Sequence, residues 1–347
     1  MRGLMGLGVL HYKQFSTERR GESYLADISP VFGVWHLPNV QVEQTSADGD
    51  DIHYRTNEHG MRDRPRAFRS DASRRVVALG DSMIEGAGVE AEDRMTDLLE
   101  AATGDEHLNF GTSGNFGPIQ EWLLYGDLAR KFDHTAIYLF CLPDNDFHDN
   151  NAAKFSPDRY RPYLRKTDAG YEAYYTVAFE KRFRGVAMDS STVLKHQIYN
   201  RVRLLNAILQ IDLRRQNKKA AYDDFSDDDA ERLLYTYRRI AESAAPRPVT
   251  IFIVPRHKDF LAHDAGTLEA RVVELLKRFA AEREGVEVYD LMPYFLDSAK
   301  ARGLNWRRFY LVHDGHWSPL GHRVAAEAVL HHTKSKATLS VPGPKPR

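Results

Sequence analysis

What this 347-residue chain lacks narrows its class at once. It has one cysteine, Cys141, so an intrachain disulfide is impossible and CxxC redox or zinc chemistry is excluded. That thiol lies at the end of the apolar run Ile137-Tyr138-Leu139-Phe140, where burial in a strand without a catalytic role is expected. No charge of one sign dominates. The 48 basic and 49 acidic residues leave a formal net charge of −1, which gives no global attraction to nucleic acid or to an anionic membrane. The local clusters Arg62-Asp63-Arg64-Pro65-Arg66 and Arg214-Arg215 read as solvated surface. The opening stretch Met1 to Leu10 is too short to span a bilayer and lacks a small-residue cleavage site, so no transmembrane segment is expected in the sequence given. On that sequence the chain reads as soluble and cytoplasmic; a signal or anchor upstream would make it extracytoplasmic. There is no internal repeat, no HExxH and no GxxxxGK[ST] phosphate loop.

What is present is a βα rhythm beginning near residue 74. Arg75 to Leu79, Leu108 to Phe110, Ala136 to Leu142, Pro248 to Val254 and Val286 to Tyr289 are apolar runs of strand length. Between them lie helical patterns at Arg94 to Ala102 and Ile119 to Phe132, and one carrying Leu268, Val272, Leu275, Leu276 and Phe279. Unbroken apolar strands alternating with helices predict a parallel sheet covered on both faces. Residues 1–73 hold too few apolar residues for a core of their own and read as an extension packed on the core, with strands at Val31 to Trp35 and Asp51 to Arg55 and a turn at Asn57 to Gly60. The rhythm breaks between about 147 and 245, read as an insertion. It is rich in tyrosine (Tyr160, Tyr163, Tyr171, Tyr174, Tyr175) and carries a stripe at Leu194, Ile198, Val202, Leu205 and Leu209. A second helix there is expected to begin near Ser226, capped with Asp229. The last helix starts near Pro319, and 333–347 reads as a flexible tail.

Four segments fall at strand ends, where α/β proteins hold their chemistry. Gly80-Asp81-Ser82 offers a nucleophile, although turns are also rich in these residues. Asn109 to Gly117 carries glycines that let backbone N–H groups approach an oxyanion, or simply make a βα turn; no acidic residue follows as a dinucleotide site would require. In Pro143-Asp144-Asn145-Asp146 the Asn145 amide can donate to an oxyanion, the aspartates can bind a cation, or the segment merely turns the chain. His313-Asp314-Gly315-His316-Trp317 and His322 invite a metal, but that reading needs further ligands. A His–Asp base for Ser82 needs only what is present.

These four blocks, in this order, resemble those of the SGNH, or GDSL, hydrolases, over roughly 74–145 and 248–332. Two features depart from the commoner pattern. Pro143 stands where many members carry glycine, and the spacing Asp314-x-His316 replaces Asp-x-x-His, whose acid would fall at His313. The Asp-x-His-Trp form is similar to that of polysaccharide O-acetyltransferase relatives. Tyr54 to Asp63 also looks like an approach segment of some bacterial members, which would bring Arg62 near the site, although a surface salt bridge explains it equally.

The resemblance implies a three-layer α/β/α sandwich with a short parallel sheet, of flavodoxin-like type, over 74–332. It implies Ser82 as nucleophile, His316 as base and Asp314 as its orienter, with an oxyanion hole from the Ser82 and Gly114 N–H groups and the Asn145 side chain. His313 and His322 are then supporting residues, and neither metal nor cofactor is expected. The expected substrate is a small-molecule or oligosaccharide acyl ester, first of all an O-acetyl ester of a carbohydrate. Hydrolysis, transfer to a polysaccharide hydroxyl and a catalytically degenerate glycan-binding module are the competing outcomes, and no nucleic-acid partner is expected.

Overall fold

The computed structural model describes residues 25–46, 48–114, 116–155, 157, 159–168, 170–179, 190–202, 205, 219–312 and 314–339. The expectations for Met1 to Leu10, Asn115, Leu209, Arg214, Arg215 and His313 lie outside them, as do those for 340–347.

Five strands form the central sheet: β5 (Arg75–Gly80), β6 (Glu106–Gly111), β7 (Ala136–Cys141), β10 (Val249–Ile253) and β11 (Val286–Asp290). Their spatial order is β11-β10-β7-β5-β6 and every pairing is parallel. The chain lays β6 on one side of β5, then reverses to add β7 on the other. This is the flavodoxin-like doubly wound order, whose switch point falls between β5 and β7. Every residue of β5, β7 and β10 is buried. Sequence runs of this kind therefore hold both faces of a covered sheet, as their unbroken apolar character predicts.

Helices cover the sheet in two groups. The helices Pro118–Asp127 (α3) and Asp227–Ala244 (α6) pack together; Met95–Thr103 (α2) and Met292–Ala301 (α9) pack on Pro319–Leu339 (α10). The three-layer α/β/α sandwich is thus present. The α6 helix begins as its sequence predicts, with the Ser226 hydroxyl accepting from Asp229 N–H and the Asp229 carboxylate accepting from Ser226 N–H.

Three readings change. The stretch assigned to an insertion, 147–245, contains one of the sheet's own helices. Leu233, Tyr237, Ile240 and Ala244 of α6 lie in the main core, so only the part before it is added to the frame. That part includes a hairpin absent from the periodicity, β8 (Pro162–Thr167) with β9 (Gly170–Tyr175), and the helix Ser190–Arg201 (α5). The α5 stripe of Leu194 and Ile198, with Val202 and Leu205 beyond it, faces solvent instead of the core. Second, α10 continues to Leu339, past the start of the expected tail, because no proline interrupts the chain before Pro342. Third, Val31 to Trp35 is a turn with only Trp35–His36 extended (β2), paired to Ala26–Asp27 (β1).

The N-terminal segment also forms the hairpin Gln41–Thr45 (β3) and Asp51–Arg55 (β4). Ile52 and Tyr54 of β4 alternate with exposed neighbours and pack inward with Leu25 and Val42. Phe32 and Met61 enter the main core.

At the sheet's carboxyl edge two glycines leave room for the turn that follows β5. The short helix Ser82–Glu85 (α1) lies directly over them, and a Cβ on Gly111 would run into the Ile84–Glu85 backbone. Gly111→Ala is therefore expected to lower the unfolding free energy by about 2–3 kcal/mol, because backbone cannot move aside as a side-chain end can. A urea denaturation midpoint equal to that of the parent would contradict this packing.

Candidate active site

The site is built from the carboxyl ends of neighbouring strands. Asp81 follows β5 and caps α1, its Oδ1 accepting from Met83 N–H at 2.9 Å. Ser82 is the first residue of that helix and is half-buried. Across the switch point, Pro143–Asp149 forms a helix (α4) beyond β7. Pro143 occupies its first turn, where a missing N–H costs nothing and the fixed φ suits helix entry. The proline in the glycine slot thus starts a helix where a turn was one reading of the sequence. Asn145, in the same turn, donates from Nδ2 to Asp81 Oδ2 at 2.9 Å. One buried carboxylate therefore joins the nucleophile turn to the asparagine.

His316 arrives from a loop 234 residues away in sequence, its Nε2 2.7 Å from Ser82 Oγ. Asp314 Oδ1 lies 2.8 Å from His316 Nδ1, but off the axis of the ring N–H, so the contact is close without hydrogen-bond alignment. Such contacts commonly tighten only when substrate is bound. Burial by itself would raise the Asp314 carboxyl; the His316 ring, the Gly315 N–H and Arg256 outweigh it and hold the group well below the usual carboxylate range. Behind the pair, Trp317 is fully buried, 5.8 Å from the Phe295 ring, and its backbone bridges to Tyr310. The Trp of the Asp-x-His-Trp form is thus a wall of the loop. A hydroxyl, an imidazole and a carboxylate in this relation can pass the serine proton to the ring as the oxygen attacks a carbonyl.

Gly114 sits on the loop after β6, exposed and at φ +90°, in the left-handed region that favours glycine. Gly80 and Gly111 are register partners, so Ser82 and Gly114 leave the same edge of adjacent strands. Asn109 is one step back: it is fully buried, donating to Ile84 O at 2.7 Å and accepting from Gly111 N–H at 2.9 Å. Among the described residues no group of three or more His, Cys, Asp or Glu is arranged to hold a metal. His322 is buried, accepts from Met95 N–H at 3.3 Å and is lowered by burial to about 3, so it is a neutral core histidine. Cys141 is buried, as its strand predicts.

Sequence reasoning missed the clamp that holds the Ser82 turn. Arg62, read as surface or near-site, is 1% exposed. It donates from Nη1 to the carbonyls of Glu85 and Gly86, from Nη2 to Val89 O at 2.7 Å, and lies 3.7 Å over the Tyr54 ring. Burial and the neighbouring Arg94 lower its guanidinium to about 10, which leaves it charged at neutral pH. Tyr54 Oη accepts from Gly88 N–H, and His36 Nε2 meets Glu85 Oε1 at 2.8 Å in a buried pair. Asp48 at the β3–β4 turn accepts from Val312 N–H at 2.8 Å, touching the loop that carries His316. Arg66 is buried as well and pairs with Asp63 and Glu100, so of this basic cluster only Arg64 is solvated surface as expected. The tyrosines of the β8–β9 region are likewise committed. Tyr160 stacks on Tyr175, and their hydroxyls donate to the carbonyls of Pro30 and Val31.

Below the site lies a group of buried acids: Asp81, Glu121, Asp146 and Asp149. Burial, and then their mutual repulsion, pushes Glu121 and Asp146 well above the usual carboxylate range. Burial raises Asp149 to about 7 against the pull of Arg161.

No family model matches the chain, and no curated protein does. Solved structures do. A lipolytic protein of the G-D-S-L family from Veillonella parvula is 16% identical, with 75% of this chain and 97% of that chain covered at a TM-score of 0.40. A lipase/acylhydrolase from Enterococcus faecalis is 12% identical, with 76% and 96% covered at 0.38. A carbohydrate esterase family 2 enzyme with a carbohydrate binding domain, from Myceliophthora fergusii, is 11% identical, with 78% and 68% covered at 0.40. At these values the likeness says nothing of substrate or catalytic roles, which rest on this chain's own geometry.

Two outcomes are expected. Arg62→Met strands several buried carbonyls and is expected to lower the unfolding free energy by about 3 kcal/mol; an unchanged thermal melt would show that the clamp carries no weight. Asp149 binds its proton more tightly folded, at about 7, than at its ordinary 3.8. Its stabilising contribution is complete below the ordinary value and lost as pH rises through about 7. Asp149→Asn should therefore flatten the decline in stability between about pH 4 and pH 8, read from denaturant midpoints; a slope equal to the parent's would refute the assignment.

Proposed function

We propose that this chain is a serine-dependent acyl ester hydrolase working through an acyl-serine. The observation that carries the reading is the 2.7 Å contact of His316 Nε2 with Ser82 Oγ, with Asp314 at the ring's other nitrogen. Ser82 Oγ bonds to the ester carbonyl carbon while its proton passes to His316 Nε2. The carbonyl oxygen becomes an oxyanion, held by the Ser82 and Gly114 N–H groups and by the Asn145 amide, whose second N–H is left over from the bond to Asp81. The oxyanion collapses, the bond to the alcohol breaks, and His316 returns the proton to the leaving oxygen. Water, activated by the same ring, then releases the acid and restores the serine.

For the substrate we infer an O-acyl ester, first an O-acetyl ester of a carbohydrate, on the strength of the Asp314-Gly315-His316-Trp317 form. The tyrosines of the hairpin lend this no support, since their rings and hydroxyls pack the hairpin to its neighbours. Transfer to a sugar hydroxyl uses the same residues and differs only in what reaches the acyl-serine. Incubation with an oligosaccharide acceptor separates the two, because acyl-oligosaccharide forms only by transfer.

Ser82→Ala is expected to abolish turnover of a short-chain acyl ester and labelling by a fluorophosphonate, with the melt unchanged. Asn145→Ala should slow turnover by about two to three orders of magnitude. Parent-like activity in the serine variant would sink the reading, and absence of Ser82 labelling in the native protein would favour a glycan-binding module without turnover.

A further inference from the structure

We propose that Arg256 forms an anion subsite beside Ser82 and His316, and that the preferred ester carries a carboxylate within its reach. The inference rests on the esterase reading and adds the class of substrate.

Arg256 lies three residues past the end of β10 and begins the helix His257–Asp264 (α7), its backbone N–H donating to Asp259 Oδ2 at 2.8 Å. It thus stands at the same strand edge as Ser82, Asn145 and Asp144. Its guanidinium packs against Gly315: a Cβ at that residue would run into Nη2 and Cζ. Gly315 separates Asp314 from His316, so the forked end of Arg256 is one residue from the acid–base pair.

Among the described residues that fork makes no hydrogen bond, and its one close ion pair is with Asp144. Nε comes to 3.4 Å from Asp144 Oδ2 but is outside hydrogen-bond geometry, and neither terminal nitrogen donates a hydrogen bond to a described residue. The carboxylates facing it have closer partners of their own. Asp144 Oδ1 is in direct contact with Lys258 Nζ, and Asp314 Oδ1 with His316. Tyr310, packed below, donates its hydroxyl to Pro255 O at 2.6 Å. The Arg256 side chain retains 16% of its exposure, while its Nε is buried. A planar fork of unused N–H donors at a partly desolvated edge matches a carboxylate, which accepts two parallel bonds. An anchor of this kind holds the substrate beside the reacting carbonyl without entering the proton transfers.

Such a carboxylate can belong to the acyl group or to the alcohol, for instance a uronic acid, and paired esters distinguish the two. One pair is 4-nitrophenyl hydrogen glutarate against 4-nitrophenyl valerate. The other is an O-acetylated methyl galacturonoside against the corresponding galactoside. In one arm the anionic ester is expected to exceed its neutral partner at least about tenfold in kcat/KM, mainly through KM, as a charge-assisted hydrogen-bond pair implies. Arg256→Gln should bring that ratio to about one, Arg256→Lys should keep part of it, and raising salt from 50 to 500 mM should shrink it in the parent protein.

Should the glutamine variant fail to fold, the lysine variant and the salt series carry the test. Protection of Ser82 from fluorophosphonate by free glutarate, against its diamide, reads the subsite without turnover. A parent ratio of one or less in both arms, or equal loss on both esters in Arg256→Gln, would overturn the subsite while leaving the esterase reading intact. Failure of Ser82 to label at all would remove both.

Discussion

The arrangement at the sheet edge depends on one buried carboxylate. Asp81 uses one oxygen to start the helix that carries Ser82 and the other to hold the Asn145 amide. Those two contacts tie together the ends of β5 and β7, the two strands that flank the switch point. The helix it caps is only four residues long, too short to be stable by its own hydrogen bonds. Its position is set from outside, by the bare Gly80 and Gly111 below it and by the capping carboxylate at its start.

The other support comes from residues that precede the sheet. Arg62, Tyr54 and His36 take up the carbonyls, an amide and a carboxylate that the short helix and the turn after it leave without partners. The same segment reaches the His316 loop through Asp48. The N-terminal segment is therefore part of the edge that carries Ser82, and the position of Ser82 relative to His316 is referred to it as much as to the sheet. This explains why two arginines of a strongly basic stretch are buried: Arg62 is matched to backbone carbonyls and Arg66 to Asp63 and Glu100, each a strong acceptor.

The acids below the site bear on stability in the opposite way. Burial raises Asp81, Glu121, Asp146 and Asp149 alike; repulsion from neighbouring acids adds to it at Glu121, Asp146 and Asp149, whereas the Met83 N–H and the Asn145 amide pull Asp81 back. Asp314 is also largely buried, but it has a ring, a backbone N–H and a guanidinium about it and stays ionised. The difference lies in the partners supplied, since burial acts on both.

The strand frame and the chemical groups at its ends follow from local sequence. Period and apolar runs are local properties, so β5, β6, β7, β10 and β11 could be read along the chain, as could the Ser226 cap. Ser82, Asn145 and the Asp314–His316 pair stood out because each follows such a run or matches a known block. Only the tertiary structure decided what each group meets. It buried Arg62 against carbonyls more than twenty residues away, placed Asp81 between two strand ends, made α6 a layer of the core and set Arg256 on Gly315. Charged and aromatic residues look the same in sequence whether they face solvent or a partner. The contact that decides between those fates comes from distant chain, and only the folded packing brings it near.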